Sequence, residues 1–223
     1  MKIAVLSLVS VFLATTAAHA MDVSAYEKAL GYQNSCASSA NDSDSRINDT
    51  EAQMIATEVS GGRIELDVFL SLYYNNCSFD SANQDAQEVL SGTMDYQAYA
   101  KAFEAQDSCG NLISERDAEI VGEEASAKAK QIDVDQLLSI EHNNCNFDFA
   151  NLDAKQIKGG IMDYQAYAAA FGFQDSCKDA PIGESDAEML GRLASDGGLK
   201  IGDFLQVYKQ NCNIDSALKV VQR

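Results

Sequence analysis

Residues 94–109 read MDYQAYAKAFEAQDSC, and residues 162–177 read MDYQAYAAAFGFQDSC. Thirteen of the 16 positions are identical, the exceptions being Lys101/Ala169, Glu104/Gly172 and Ala105/Phe173. A third version, MDVSAYEKALGYQNSC, runs from Met21 to Cys36. Each is followed by a second cysteine in a motif of its own, NNCSFDSAN at 75–83, NNCNFDFAN at 143–151 and QNCNIDSAL at 210–218. Cys77, Cys145 and Cys212 recur at intervals of 68 and 67 residues, which sets three tandem repeats at 21–93, 94–161 and 162–223. Neighbouring copies of such a unit bury each other's open faces.

Every unit reads as helical, with three or four short helices. Asp22, Asp95 and Asp163 are N-cap candidates ahead of Ala-rich sequence, and Tyr99 and Phe103 fall on one helix face. Ala52, Ile55, Ala56 and Val59 recur at helical spacing. Thr50-x-x-Gln53 and Ser185-x-x-Glu188 have the form of capping boxes that would open this second helix. Gly61-Gly62 and Gly197-Gly198 would stop it, while the middle copy has Ala127 to Lys130 there. A third helix carries Phe69, Leu70, Leu72 and Tyr73, matched by Phe204, Leu205, Val207 and Tyr208. A fourth is expected to start at Asp80, Asp148 and Asp215. The fold class expected is all-α, a tandem array of three disulfide-stapled helical repeats.

Composition sets the boundaries of function. The 223 residues are 46% hydrophobic with a formal charge of −18, too apolar for a disordered tail and too acidic to bind nucleic acid through its phosphates. Lys2, the apolar run Ile3 to Ala14 and Ala18-His19-Ala20 form a signal peptide over residues 1–20, too short to span a membrane. Cleavage near Ala20 would give a secreted or periplasmic chain of charge −19 beginning where a repeat begins, with His142 as its one histidine.

In an exported chain, the six cysteines Cys36, Cys77, Cys109, Cys145, Cys177 and Cys212 argue for three disulfides. No C-x-x-C occurs, as zinc or c-type haem would need. Pairing within units gives Cys36–Cys77, Cys109–Cys145 and Cys177–Cys212. Pairing between units gives Cys77–Cys109 and Cys145–Cys177 and leaves Cys36 to reach Cys212. The first scheme serves every copy alike and is preferred.

Catalysis through a histidine would have to use His142, whose slot is filled by Tyr74 and Lys209 in the other copies, the mark of an exposed position. No phosphate loop, H-E-x-x-H or G-x-S-x-G is present. A hydrolase with paired carboxylates has many acidic candidates and none singled out.

Two acidic segments offer ligands to a divalent cation, calcium above all. In the third copy, Asp196-Gly197-Gly198-Leu199 followed by Asp203 resembles the second half of an EF-hand loop. That resemblance implies a turn glycine at Gly197 and ligands at Asp196 and Asp203. It departs from the EF-hand at Arg192 and Ala194, which stand at the first two ligand positions, and at Val68 and Gln136, which replace the last ligand in the other copies. In the first copy, the 16 residues from Cys36 to Ala52, against 9 and 10 in the others, bring in Asp42, Asp44, Asp49 and Glu51. The same stretch carries glycosylation sequons at Asn41 and Asn48, and a third begins at Asn76.

The function expected is therefore a secreted acidic binding or assembly module that lacks catalysis and a fixed cofactor. Its partner would be a protein, a glycan or a second copy of itself, with the pairs Tyr96/Tyr99 and Tyr164/Tyr167 as an exposed contact surface. A calcium-responsive extracellular protein is the alternative, and a carboxylate-pair hydrolase the third reading.

Overall fold

The computed structural model describes residues 21–36, 45–174, 177 and 181–222. The segment 1–20 expected to direct export, Asn41, Asp42 and Asp44 lie outside the described residues. Among those described the chain is all-helical, with twelve α-helices, no strand and three disulfides. Two compact units are distinguished, one reaching to Phe79 and one from Asp80 onward. The division falls within the first turn of a helix.

The first unit contains α1 (Val23–Ala29), α2 (Asp49–Ser60) and α3 (Leu66–Asn76). Asp22 caps α1 by accepting from Ala25 N at 3.0 Å. The start of α2 differs from the Thr50 cap expected from sequence. Asn48 caps it instead, because Glu51 stands three residues on and the two close reciprocal bonds of 3.0 and 2.9 Å. Ile47, Ile55, Ile64, Phe69 and Leu72 fill the core, with the Phe69 and Tyr73 rings stacked at 6.3 Å.

The second unit begins one residue into α4 (Phe79–Ser91) and continues through α5 (Tyr96–Phe103), α6 (Glu115–Ala125), α7 (Val134–Asn144), α8 (Phe147–Lys158), α9 (Tyr164–Ala170), α10 (Glu184–Ser195), α11 (Ile201–Asn211) and α12 (Ile214–Val221). Asp95 and Asp163 cap α5 and α9 just as Asp22 caps α1. Ser185 is not the cap of α10: Gly183 holds that position without a side-chain bond, and Ser185 lies inside the first turn. Tyr99 and Tyr167, expected on an exposed surface, are 0% and 1% exposed and pack in the core, with only Tyr96 and Tyr164 partly open. The near-identity of the two MDYQAYA segments thus has a packing cause.

Lys28 on α1 pairs with Asp67 on α3, and Lys101 on α5 pairs with Asp135 on α7. At the corresponding third-copy positions both partners change together, to Ala169 and Gly202. Exposed pairs of this kind add well under about 1 kcal/mol, so they align helices more than they stabilise them.

The disulfides join Cys36 to Cys77, Cys109 to Cys145 and Cys177 to Cys212, with Cα atoms 5.9, 6.1 and 5.3 Å apart. These are the pairs of the within-unit scheme. Cys77, Cys145 and Cys212 each end a helix in the left-handed region, at φ of 57°, 56° and 52°. Glycine normally takes that conformation, at no steric cost. Here the crosslink requires a side chain at the turn. Three disulfides fit an oxidising, extracellular-type environment. No described helix is long and apolar enough to cross a membrane.

Gly122 on α6 and Gly191 on α10 set how closely these helices meet the loops before α5 and α9. Their carbonyls accept from Asp95 N at 2.8 Å and Asp163 N at 3.0 Å. An added Cβ would lie 2.7 Å from Met94 Cγ or 2.8 Å from Met162 Cγ, and 3.2 Å from the Asp95 or Asp163 carbonyl oxygen. The first unit tolerates Ala56 at the same place because Met21 is 40% exposed rather than packed over it, and the matching bond from Asp22 N is 3.2 Å. Helix propensity favours alanine by about 1 kcal/mol, and overpacking costs roughly 1–3 kcal/mol. Gly122→Ala and Gly191→Ala are each expected to lose about 1 kcal/mol in urea unfolding. A gain in stability would mean that the methionines yield freely.

Candidate functional site

The buried residues of α8 are Ala150, Asn151, Asp153 and Ala154, with Ile157 partly buried beside them, so a carboxylate sits on the core face of the helix. Asp153 is 2% exposed. From α10 come Glu184, Glu188 and Arg192, spaced four apart and therefore on one face. Oxygens of Asp153, Glu184 and Glu188 lie within 4.8 Å of one another. Arg192 Nη2 stands 3.2 Å from Glu188 and 4.0 Å from Asp153, while its Nε donates to Gln156 Oε1 at 3.0 Å. The cleft above them has a volume of about 370 Å³ and a rim that includes Phe149, Leu152 and Ser185.

Three buried atoms here lack a hydrogen-bond partner: Asp153 Oδ2, Glu184 Oε1 and the Tyr167 hydroxyl from α9. Burial, then the Glu188 and Glu184 charges, push Asp153 up to about 7 against the pull of Arg192. Burial also raises Glu184, helped by Glu188 and opposed by the Asn144 amide at the end of α7. Burial raises the Tyr167 hydroxyl, and the charges of Glu184, Asp153 and Glu188 add to it. Carboxylates this close share protons or a cation.

The same residue types occur one repeat earlier, with Asp85 on α4, Glu115 and Glu119 on α6 and the buried Tyr99. Among the described residues, only the α8–α10 carboxylates close into a group of three. A further grouping of Asp107 with Cys109 and Cys145 offers no metal site, since both sulfurs belong to one disulfide. Asp107 instead forms a turn. Burial raises its carboxyl, but bonds from Asn111, Cys109 and Gly110 outweigh that and hold it below its ordinary value.

The ligands expected from sequence are placed elsewhere. Asp49 accepts from the Tyr26 hydroxyl at 2.6 Å and from Gln53 at 2.7 Å, and Glu51 is tied into the cap of α2. Asp196 is the exposed C-cap of α10 and Asp203 is exposed in the first turn of α11; neither joins a group of three candidate ligands. Asn48 is exposed but holds the α2 cap, and Asn76 is 8% exposed with its Oδ1 accepting from Ser78 N. His142 is exposed on α7, its Nδ1 3.2 Å from the Gln106 carbonyl oxygen. The signal that would have found Asp153 is a charge at a core position of a helical stripe, opposite a Glu-x-x-x-Glu-x-x-x-Arg face.

No family model, curated protein or solved structure matches the chain.

Proposed function

We propose that the chain is an exported, non-catalytic module of three tandem disulfide-stapled helical repeats, 21–93, 94–161 and 162–223, which acts by binding a partner. The repeat reading is supported by the recurrence of one local design: an aspartate cap before the first helix, a disulfide of 35 to 41 residues, and a left-handed cysteine closing the third.

The observation that carries the binding reading is the outer surface of α8. Phe149 and Leu152, one turn apart, are 59% and 52% exposed. The corresponding positions of the other copies are Ser81 and Gln84, and Ser216 and Lys219. Scattered exposed apolar residues are ordinary. An adjacent pair that appears in one copy, where both sisters are polar, has no packing role and marks a contact surface beside the acidic cleft. The partner suited to it is a protein, a glycan or a second copy with an apolar spot flanked by positive charge.

A photo-crosslinking residue at position 149 tests this. The expected result is one discrete adduct that Leu152→Lys suppresses. The same adducts from position 216 on α12, or none from 149, would overturn the reading.

A further inference from the structure

We infer that Asn48 carries an N-linked glycan once the chain passes through a eukaryotic secretory pathway, while the sequon at Asn76 stays bare. The inference goes beyond the partner-binding reading and rests only on its export part. The transfer joins Asn48 Nδ2 to the first sugar carbon of a lipid-linked oligosaccharide diphosphate. The carbon–oxygen bond to that diphosphate breaks, the lipid diphosphate leaves, and the amide nitrogen gives up one proton. Asn48 is exposed, as are Asp49 and Thr50, so the whole Asn-x-Thr stretch lies at the surface. Its Oδ1 accepts from Glu51 N at 3.0 Å to cap α2. Only the amide oxygen can accept from a backbone N–H, which leaves Nδ2 out of the cap. A sugar on that nitrogen keeps the oxygen in place, so cap and glycan are compatible.

Two comparisons between the copies separate the asparagines. The caps equivalent to Asn48 follow a buried isoleucine, Ile113 or Ile182 in place of Ile47, and are Ser114 and Gly183. Serine serves on α6 and α10 has no side-chain cap bond, so capping at this position does not call for asparagine. Asn76 is the opposite case. Its counterparts are Asn144 and Asn211, and all three Oδ1 atoms accept from the N–H two residues on, at 3.4, 3.0 and 3.0 Å. Ser78 completes a sequon in the first copy, whereas Asn146 and Asn213 stand there in the others. The asparagine thus recurs for its turn bond, with or without a sequon. Asn76 is also 8% exposed, next to Cys77, whose sulfur is bonded to Cys36.

The test is peptide mapping of the full chain, made with residues 1–20 in place in a eukaryotic secretory host. The secreted protein is reduced, treated with peptide N-glycosidase in heavy-oxygen water and cut with trypsin. Cleavage after Arg46 and Arg63 puts Asn48 alone on peptide 47–63, apart from Asn41 and Asn76. The expected result is heavy-oxygen aspartate at position 48 and unlabelled asparagine at 76. Thr50→Ala and Asn48→Asp both keep a capping side chain at position 48, and each should leave peptide 47–63 unchanged by the glycosidase. Thr50→Ser and Ser78→Ala should retain the label at 48. Bare Asn48 in the secreted parent, or a label at Asn76, would overturn the inference while export stands. A parent chain held in the cytosol overturns the export reading, and the inference with it.

Discussion

In EDTA, Asp153→Asn will flatten the fall in stability that the parent chain undergoes between about pH 4 and pH 7. The carboxyl has an ordinary value of 3.8 and is pushed to about 7 in the fold by burial, with the charges of Glu188 and Glu184 adding to it. Between those values the folded chain holds a proton that the unfolded chain has released. Its contribution is therefore fully present below pH 4 and is lost as pH rises through 7. A shift of three units corresponds to about 4 kcal/mol, an upper bound because neighbouring carboxylates titrate with it. Urea unfolding should find the variant more stable than the parent by about 2–4 kcal/mol at pH 8, with the two converging near pH 4. Parallel pH profiles would show that Asp153 is not held protonated in the fold. Glu141, 5% exposed where the other copies have Tyr73 and Tyr208, is also raised, by burial first and then by Asp107. It adds a dependence of the same sign that Asp153→Asn leaves in place.

Cys109→Ser/Cys145→Ser is expected to be the most damaging change outside the cluster. The bridge closes 36 residues, for which the chain-entropy account gives about 3–4 kcal/mol. The variant also keeps a side chain at φ of 56° without the crosslink that demanded it. In a chain of this size, that loss lowers the melting temperature by roughly 6–15 °C. Reduction of the parent under native conditions should reach the same temperature or below. A double variant that melts within about 2 °C of the parent would mean that the crosslink closes a loop already ordered in the unfolded chain.

How far the sequence could be read depends on how local each determinant is. The aspartate caps at 22, 95 and 163 were legible because a cap is a contact over three residues. The α2 cap was misplaced by two residues, since Thr50-x-x-Gln53 and Asn48-x-x-Glu51 overlap and only the second has both reciprocal bonds. The tyrosines one turn apart, Tyr96 and Tyr99, gave no sign of which faced the core. Packing of α5 against α6, where Gly122 lets Met94 and Tyr99 approach, decides it.

The cluster was the least legible part. Asp153 and Glu188 are 35 residues apart and meet only because α8 lies against α10. In a chain with 34 acidic residues, composition cannot say which carboxylates have lost water. The acidic stretches chosen from sequence were dense in charge, and density favours exposure. A carboxylate in an apolar stripe was the better sign.

Peptide mapping of the unreduced chain tests most directly whether each proposed repeat is closed by its own disulfide. A Lys or Arg separates every pair of successive cysteines, such as Arg46 between Cys36 and Cys77 and Lys101 between Cys77 and Cys109, so trypsin isolates each one. Mass spectrometry should find the linked pairs Cys36–Cys77, Cys109–Cys145 and Cys177–Cys212. A Cys77–Cys109 or Cys145–Cys177 peptide from the native chain would contradict the account, since the crosslinks would then tie neighbouring repeats together rather than close each one.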